Sequence, residues 1–161
     1  AAREAERLLE RLRPLAHCRW VTRAQLHITL RFLGELSPAV VERVRSAVAA
    51  VTVQPFDIEL HRAGTFPNLA RPRTLWLGGD RGASELTALA GRVNDALFEV
   101  GIPRNGRPFS PHLTLARSDG SPLPPALMRE LECVPSIAWR CAGISLMRSR
   151  LTPRGAVYTR L

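Results

Sequence analysis

The stretch Leu26-His27-Ile28-Thr29-Leu30 returns 85 positions later as Pro111-His112-Leu113-Thr114-Leu115. Each copy alternates polar and apolar side chains with a period of two, the pattern of a half-buried strand. Residues two apart in a strand share a face. His27 and Thr29 therefore point together, while Leu26, Ile28 and Leu30 point the other way, into a core. His112 and Thr114 repeat the arrangement against Leu113 and Leu115. Weaker echoes follow in the same order. Ala63-Gly64 returns as Ala142-Gly143, and Pro72-Arg73 as Pro153-Arg154, at separations of 79 and 81. Similar offsets point to an ancient duplication, with two matched α+β lobes facing one another across a groove.

The rest of the chain reads in the same two-part rhythm. Residues 1 to about 13 carry Leu8, Leu9 and Leu12 on one helical stripe, and Pro14 ends that helix. The chain turns extended from Arg19, and residues 26–33 form the first motif strand, stopped by Gly34. Ser37-Pro38 starts a helix that runs to about Ala50. Strands are predicted at 56–60 and 74–77, joined by a loop through Gly64-Thr65-Phe66-Pro67-Asn68. A helix follows over about 84–100, with Leu86, Leu89, Ala90, Val93 and Leu97 on one face and Gly101 as its left-handed cap. The second motif strand spans 112–116. A proline-rich loop, a short helix to Glu132 and strands over 137–147 and 156–161 complete the order. The expected fold is α+β and bilobal: two antiparallel β-sheets related by a pseudo-twofold duplication, helices outside, and a central active-site groove. Residues 1–161 are expected to form a single bilobal domain, with lobe-forming halves of roughly 1–80 and 81–161 and strand exchange between them left open.

Composition narrows the chemistry. The 161 residues are 45% hydrophobic and 23% charged, ordinary values for a globular protein. No apolar run approaches the roughly 18 residues of a membrane span, and no signal peptide opens the chain. We therefore expect a cytoplasmic protein. All 23 basic residues are arginine, against 14 acidic residues, for a net charge of +9. Genomic bias accounts for part of that; the charge still favours polyanionic partners, since arginine meets phosphate with both Coulomb attraction and paired hydrogen bonds. Without lysine, covalent chemistry through a lysyl amine is unavailable to these residues. Cys18, Cys133 and Cys141 lack CxxC spacing and read as buried thiols in a reducing compartment. The chain starts Ala-Ala-Arg, inside a helix, so residues ahead of Ala1 are expected.

Two histidines on matched strands suit phosphodiester hydrolysis. One imidazole accepts a proton from attacking water, and the other returns one to the departing sugar oxygen. An ordinary imidazole pKa near 6.5 makes both forms accessible at neutrality. The hydroxyls of Thr29 and Thr114 can donate to the phosphoryl oxygens, where charge builds up. Each acid–base group is worth a rate factor on the order of 10² to 10⁴. No Cys, Asp or Glu stands at ligand spacing beside either histidine, so neither a metal nor another cofactor is expected. His17 and His61 lack the strand context and read as surface or loop residues. Arg31 shares the His27 face by parity and is a candidate for an RNA phosphate, with an exposed solubilising role as the alternative. Phe66 and Phe109 read as core residues, with base stacking as the alternative.

Taken together, these stretches resemble the two-histidine (2H) phosphoesterase superfamily. Within it the likeness is to the bacterial and archaeal RNA 2′,3′-cyclic phosphodiesterases, long named 2′-5′ RNA ligases. It rests on Trp20-Val21, on residues 26–34, on Pro72-Arg73-Thr74-Leu75-Trp76-Leu77-Gly78, on residues 107–117, and on Arg148-Ser149-Arg150-Leu151-Thr152-Pro153, and so covers nearly the whole chain. The resemblance implies a basic groove between two antiparallel sheets. It also implies that His27 is the acid, that His112 is the base, and that the product is a terminal 2′-phosphate. It places Arg117 near the phosphate, although Arg117 has the opposite strand parity to His112; a strand end or a bulge at that point would reconcile the two. Such proteins usually open with a strand of the Arg-Leu-Phe-Val-Ala type, which is absent from these residues and would leave the first sheet a strand short.

The expected activity is metal-independent hydrolysis of RNA 2′,3′-cyclic phosphate ends. ATP-independent 2′-5′ ligation is the same chemistry run backwards, opposed by the excess of water. A non-catalytic RNA- or nucleotide-binding module is the alternative outside enzymology. The expected partner is RNA or a nucleotide bearing the cyclic phosphate, and a monomer suffices, because a bilobal fold encloses its own cleft.

Overall fold

The computed structural model describes residues 1–153 and 155–161; Arg154, half of one dipeptide echo, lies outside the described residues. The chain is α+β, as expected. It divides into two compact units that interleave along the sequence. The first comprises residues 1–28, 57–82 and 112–139; the second comprises 29–56, 83–111 and 140–161.

The first unit is built on a four-stranded antiparallel sheet. Its strands are β1 (Arg19–Trp20), β3 (Arg62–Phe66), β4 (Thr74–Gly78) and β5 (Leu113–Arg117), in the order β1-β5-β4-β3. The same unit holds the helices α1 (Ala2–Leu12) and α4 (Pro125–Glu132), whose Arg11 and Glu130 form an ion pair. Leu8, Leu9 and Leu12 of α1 are buried at the expected helical spacing. Leu75 and Leu77 of β4 and Leu113 and Leu115 of β5 are buried with them. β2 (Phe56–Leu60) pairs with β6 (Ile137–Cys141) in a separate two-stranded sheet.

The second unit contains α2 (Pro38–Ala49), α3 (Ala83–Glu99) and the antiparallel hairpin β7 (Met147–Thr152) and β8 (Gly155–Arg160). Its core joins Val44 of α2 to Leu89, Val93 and Leu97 of α3, with Ile102 beyond the left-handed Gly101. Among the described residues the sheets are one of four strands and two of two strands, where two sheets were expected. No described helix is long and apolar enough to cross a membrane.

Four further expectations need correction. The strand predicted over 26–33 is reduced to a single antiparallel bridge, Ile28 to Leu113. A strand persists only where its backbone finds a ladder partner. Beyond Ile28 the chain instead packs Leu30, Leu33 and Leu36 against the α2–α3 core. Second, residues 62–66, whose Gly64 suggested a loop, form β3. Third, the strand expected over 137–147 is two strands, β6 and β7, separated by residues 142–146. The cysteines are free, and Cys133 is exposed where burial was expected, because it caps the short α4 at its solvent end.

Candidate active site

Both motif histidines lie in the first unit. The Ile28–Leu113 bridge runs antiparallel, so the residue before Ile28 lies beside the residue after Leu113. His27 thus neighbours Thr114. His112 stands two residues along the same strand as Thr114, on the same face and diagonal to His27. Diagonal neighbours of an antiparallel pair have Cβ atoms about 7–8 Å apart. Two imidazoles at that spacing can flank one phosphate.

His27 sits just past a single 3₁₀ turn, Arg23–Gln25, closed by a reciprocal cap between Thr22 and Gln25; the Thr22 N–H donates to Gln25 Oε1 at 2.8 Å. That cap fixes the Gln25 carbonyl, which lies 2.7 Å from His27 Nδ1. A carbonyl only accepts, so Nδ1 carries the proton in this contact. Nε2 is then the nitrogen at which His27 gains or loses a proton. His27 is exposed to solvent.

His112 is half-buried at the mouth of β5, behind the stiff run Pro108-Phe109-Ser110-Pro111. The Phe66 ring meets its imidazole edge-on, with centroids 5.0 Å apart and planes at 84°. Phe66 in turn lies 5.1 Å from the Trp76 ring. The Trp76 indole lies across Gly64, where an added Cβ would come within 2.3 Å of Cζ2. The register explains this order: Thr114 pairs with Trp76, and Trp76 with Gly64, on one face of the sheet. The Gly64–Trp76–Phe66 bracket is not legible in the sequence. Its one signal is a glycine two residues from an aromatic, which reads equally well as a turn.

Arg117 resolves its parity conflict through a bulge. β4 pairs Trp76 with Thr114 but Leu75 with Ala116, so Leu115 is an extra residue in β5. Thr74 then pairs with Arg117, on the face that carries Trp76 and Thr114. The Arg117 Nη1 donates to Thr74 Oγ1 at 2.6 Å. Leu115 and Ala116 are both fully buried, which anchors the bulge.

Thr29 and Arg31 fall in the second unit, and Thr29 is exposed. Arg31 Nη2 donates to the Pro103 carbonyl at 2.7 Å, and its Nε is buried with no hydrogen-bond partner. The structure thus puts Thr114 and Arg117 on one face of the sheet, sets His27 and His112 next to the bridged residues Ile28 and Leu113, and gives Arg31 a structural bond. His17 and His61 are exposed outside regular strands. His61 Nε2 lies 3.9 Å from an Asp80 carboxylate oxygen. Among the described residues, no group of three or more His, Cys, Asp or Glu side chains is placed to hold a metal ion.

Comparison with known proteins identifies the family. A family model described as the 2′-5′ RNA ligase superfamily matches residues 1–153. A protein of Aeropyrum pernix named RNA 2′,3′-cyclic phosphodiesterase is 38% identical over 138 residues, covering 84% of this chain and 78% of that protein. A protein of the same name from Archaeoglobus fulgidus is 33% identical over 152 residues, covering 94% and 85% respectively. Among solved structures, TT0787 of Thermus thermophilus superposes with a TM-score of 0.80 at 30% identity, covering 99% of this chain and 88% of its own. The Escherichia coli LigT structure complexed with 3′-AMP gives a TM-score of 0.74 at 26% identity, covering 100% and 90%. The chain belongs to the 2′-5′ RNA ligase superfamily.

Proposed function

We propose that this protein is an RNA 2′,3′-cyclic phosphodiesterase that opens cyclic phosphate ends to 2′-phosphates with His27 as acid and His112 as base. The observation that supports the reading is the Ile28–Leu113 bridge, which brings the two histidine motifs side by side. Relatives named for this activity at 33% and 38% identity support it. In the reaction, His112 takes a proton from water as its oxygen attacks phosphorus. The bond from phosphorus to the 3′ oxygen breaks, and His27 donates a proton to that oxygen. The products are a 3′-hydroxyl and a 2′-phosphate, and the two imidazoles have exchanged protonation states. Thr114 and Thr29 donate to the non-bridging oxygens, and Arg117 offsets their charge. Arg31 adds positive charge, with its Nη2 donor committed to Pro103. The enzyme acts as a cytoplasmic monomer, since one chain supplies both histidines.

The test is hydrolysis of an RNA oligonucleotide ending in a 2′,3′-cyclic phosphate, with EDTA present and the product phosphates resolved. The expected product is the 2′-phosphate, and His27→Ala and His112→Ala each lower kcat by a factor on the order of 10² to 10⁴. A 3′-phosphate product would reverse the regiochemistry, and no turnover would sink the reading.

A further inference from the structure

Between Cys133 and Leu161 the chain contains five arginines and no aspartate or glutamate. Three of them, Arg148, Arg150 and Arg160, lie on the β7–β8 hairpin of the second unit. Elsewhere six arginines find carboxylates: Arg11 pairs with Glu130, Arg23 with Glu6, Arg45 with Glu42, Arg62 with Asp80, Arg81 with Asp57 and Arg104 with Asp95. Among the described residues, Arg148, Arg150 and Arg160 have no such partner.

The hairpin register orders this charge. Arg148 pairs with Thr159 and Arg150 with Val157, so these four side chains share one face, and all four are exposed. Two arginines two residues apart stand about 6.8 Å from one another along a strand. That is a short rail of positive charge with the Thr159 hydroxyl beside Arg148 and Val157 beside Arg150. Self-repulsion along such a rail is relieved by a chain of anions laid over it. Guanidinium groups suit phosphate oxygens by their paired donors. Arginines repeating along a strand match the repeated phosphates of a nucleic-acid backbone, which fits a partner recognised by its backbone.

We propose that the Arg148–Arg150 face of the hairpin binds the phosphodiester backbone of single-stranded RNA, independently of base sequence. The inference rests on the RNA reading of the preceding section and adds a second contact surface outside the histidine site. It makes the protein favour an oligonucleotide over a cyclic mononucleotide, because only the oligonucleotide carries phosphodiesters beyond the cyclic end.

The experiment is fluorescence anisotropy with a labelled single-stranded RNA of about twelve nucleotides and an ordinary 3′-hydroxyl end, titrated at several salt concentrations from about 50 to 200 mM. The paired substitution Arg148→Gln and Arg150→Gln should weaken binding about tenfold at low salt, and should reduce the salt slope by about 1.4, two single-strand phosphate contacts. Arg148→Lys with Arg150→Lys keeps the charge and should keep the slope. The ratio of kcat/KM for the oligonucleotide to that for a cyclic mononucleotide should fall in the glutamine variant. An unchanged slope and ratio would overturn the proposal, as would equal losses in the lysine and glutamine variants. Binding to phosphatidylserine vesicles in place of the RNA would overturn it too. Because the probe has no cyclic end, failure of the hydrolase reading shows separately, as RNA binding without turnover.

Discussion

The Phe66 ring stands edge-on to the His112 imidazole, centroids 5.0 Å apart at 84°, and the Trp76 ring backs Phe66 from 5.1 Å. The ring edge offers partial positive charge and the facing ring its partial negative face, a contact worth about 0.5–1.5 kcal/mol beyond buried area. Phe66→Leu removes this ring contact from the imidazole. The expected result is a fall in kcat of about 10- to 100-fold with KM changed much less, because small misplacements of a reacting group are costly. Phe66→Tyr should restore most of the loss, and steady-state kinetics on a cyclic mononucleotide checks both.

The Leu115 bulge predicts a linked pair of effects. Arg117→Ala should raise KM about tenfold through a lost phosphate contact. Thr74→Val removes the hydroxyl that Arg117 holds at 2.6 Å and should reproduce part of that rise. In the Arg117→Ala background, Thr74→Val should add little, and a double-mutant cycle on KM measures the coupling.

Two glycines should respond to alanine in opposite directions. At Gly64 the new Cβ meets the Trp76 ring at 2.3 Å and backbone shifts must follow, so Gly64→Ala should cost about 1–3 kcal/mol. Gly91, on α3, has nothing within 4 Å of its notional Cβ. Gly91→Ala there should add about 0.5–1 kcal/mol, the intrinsic helical preference for alanine. Thermal denaturation of the two variants decides both.

Thr65 is 9% exposed, and its hydroxyl is buried with no hydrogen-bond partner. Valine has nearly the same shape without the stranded oxygen. Thr65→Val should therefore raise stability by about 1 kcal/mol, read as a higher denaturation midpoint.

Burial raises the Cys18 thiol above its ordinary pKa, and the Asp119 carboxylate pushes in the same direction. The thiolate is the reactive form, so Cys18 should alkylate slowly. Exposed Cys133 should be labelled first by iodoacetamide at mildly alkaline pH, as peptide mapping over time would show.

Much of the first unit is legible in the sequence because its signals are local and periodic. The α1 leucines repeat at helical spacing, and β5 alternates about Thr114 in both sequence and structure. What escapes depends on partners far away in the chain. Residues 26–33 alternate as well as any strand, but a ladder needs a neighbour and only Ile28 finds one. Gly64 reads as a turn because the reason for it, the Trp76 indole, lies on the next strand. Arg117 illustrates the same limit in reverse. Sequence parity puts it on the wrong face, and one bulged residue returns it. A bulge enters the sequence reading only as one way to reconcile parity with family resemblance, since no residue type there announces it.

The bridge between Ile28 and Leu113 has one more consequence. Backbone pairing inside a single unit brings the two histidine motifs together, with no side chain of the other unit taking part in that pairing. On the proposed reading, substitutions in the other unit can accumulate in heredity while the pairing that holds the two histidine motifs side by side passes on unaltered.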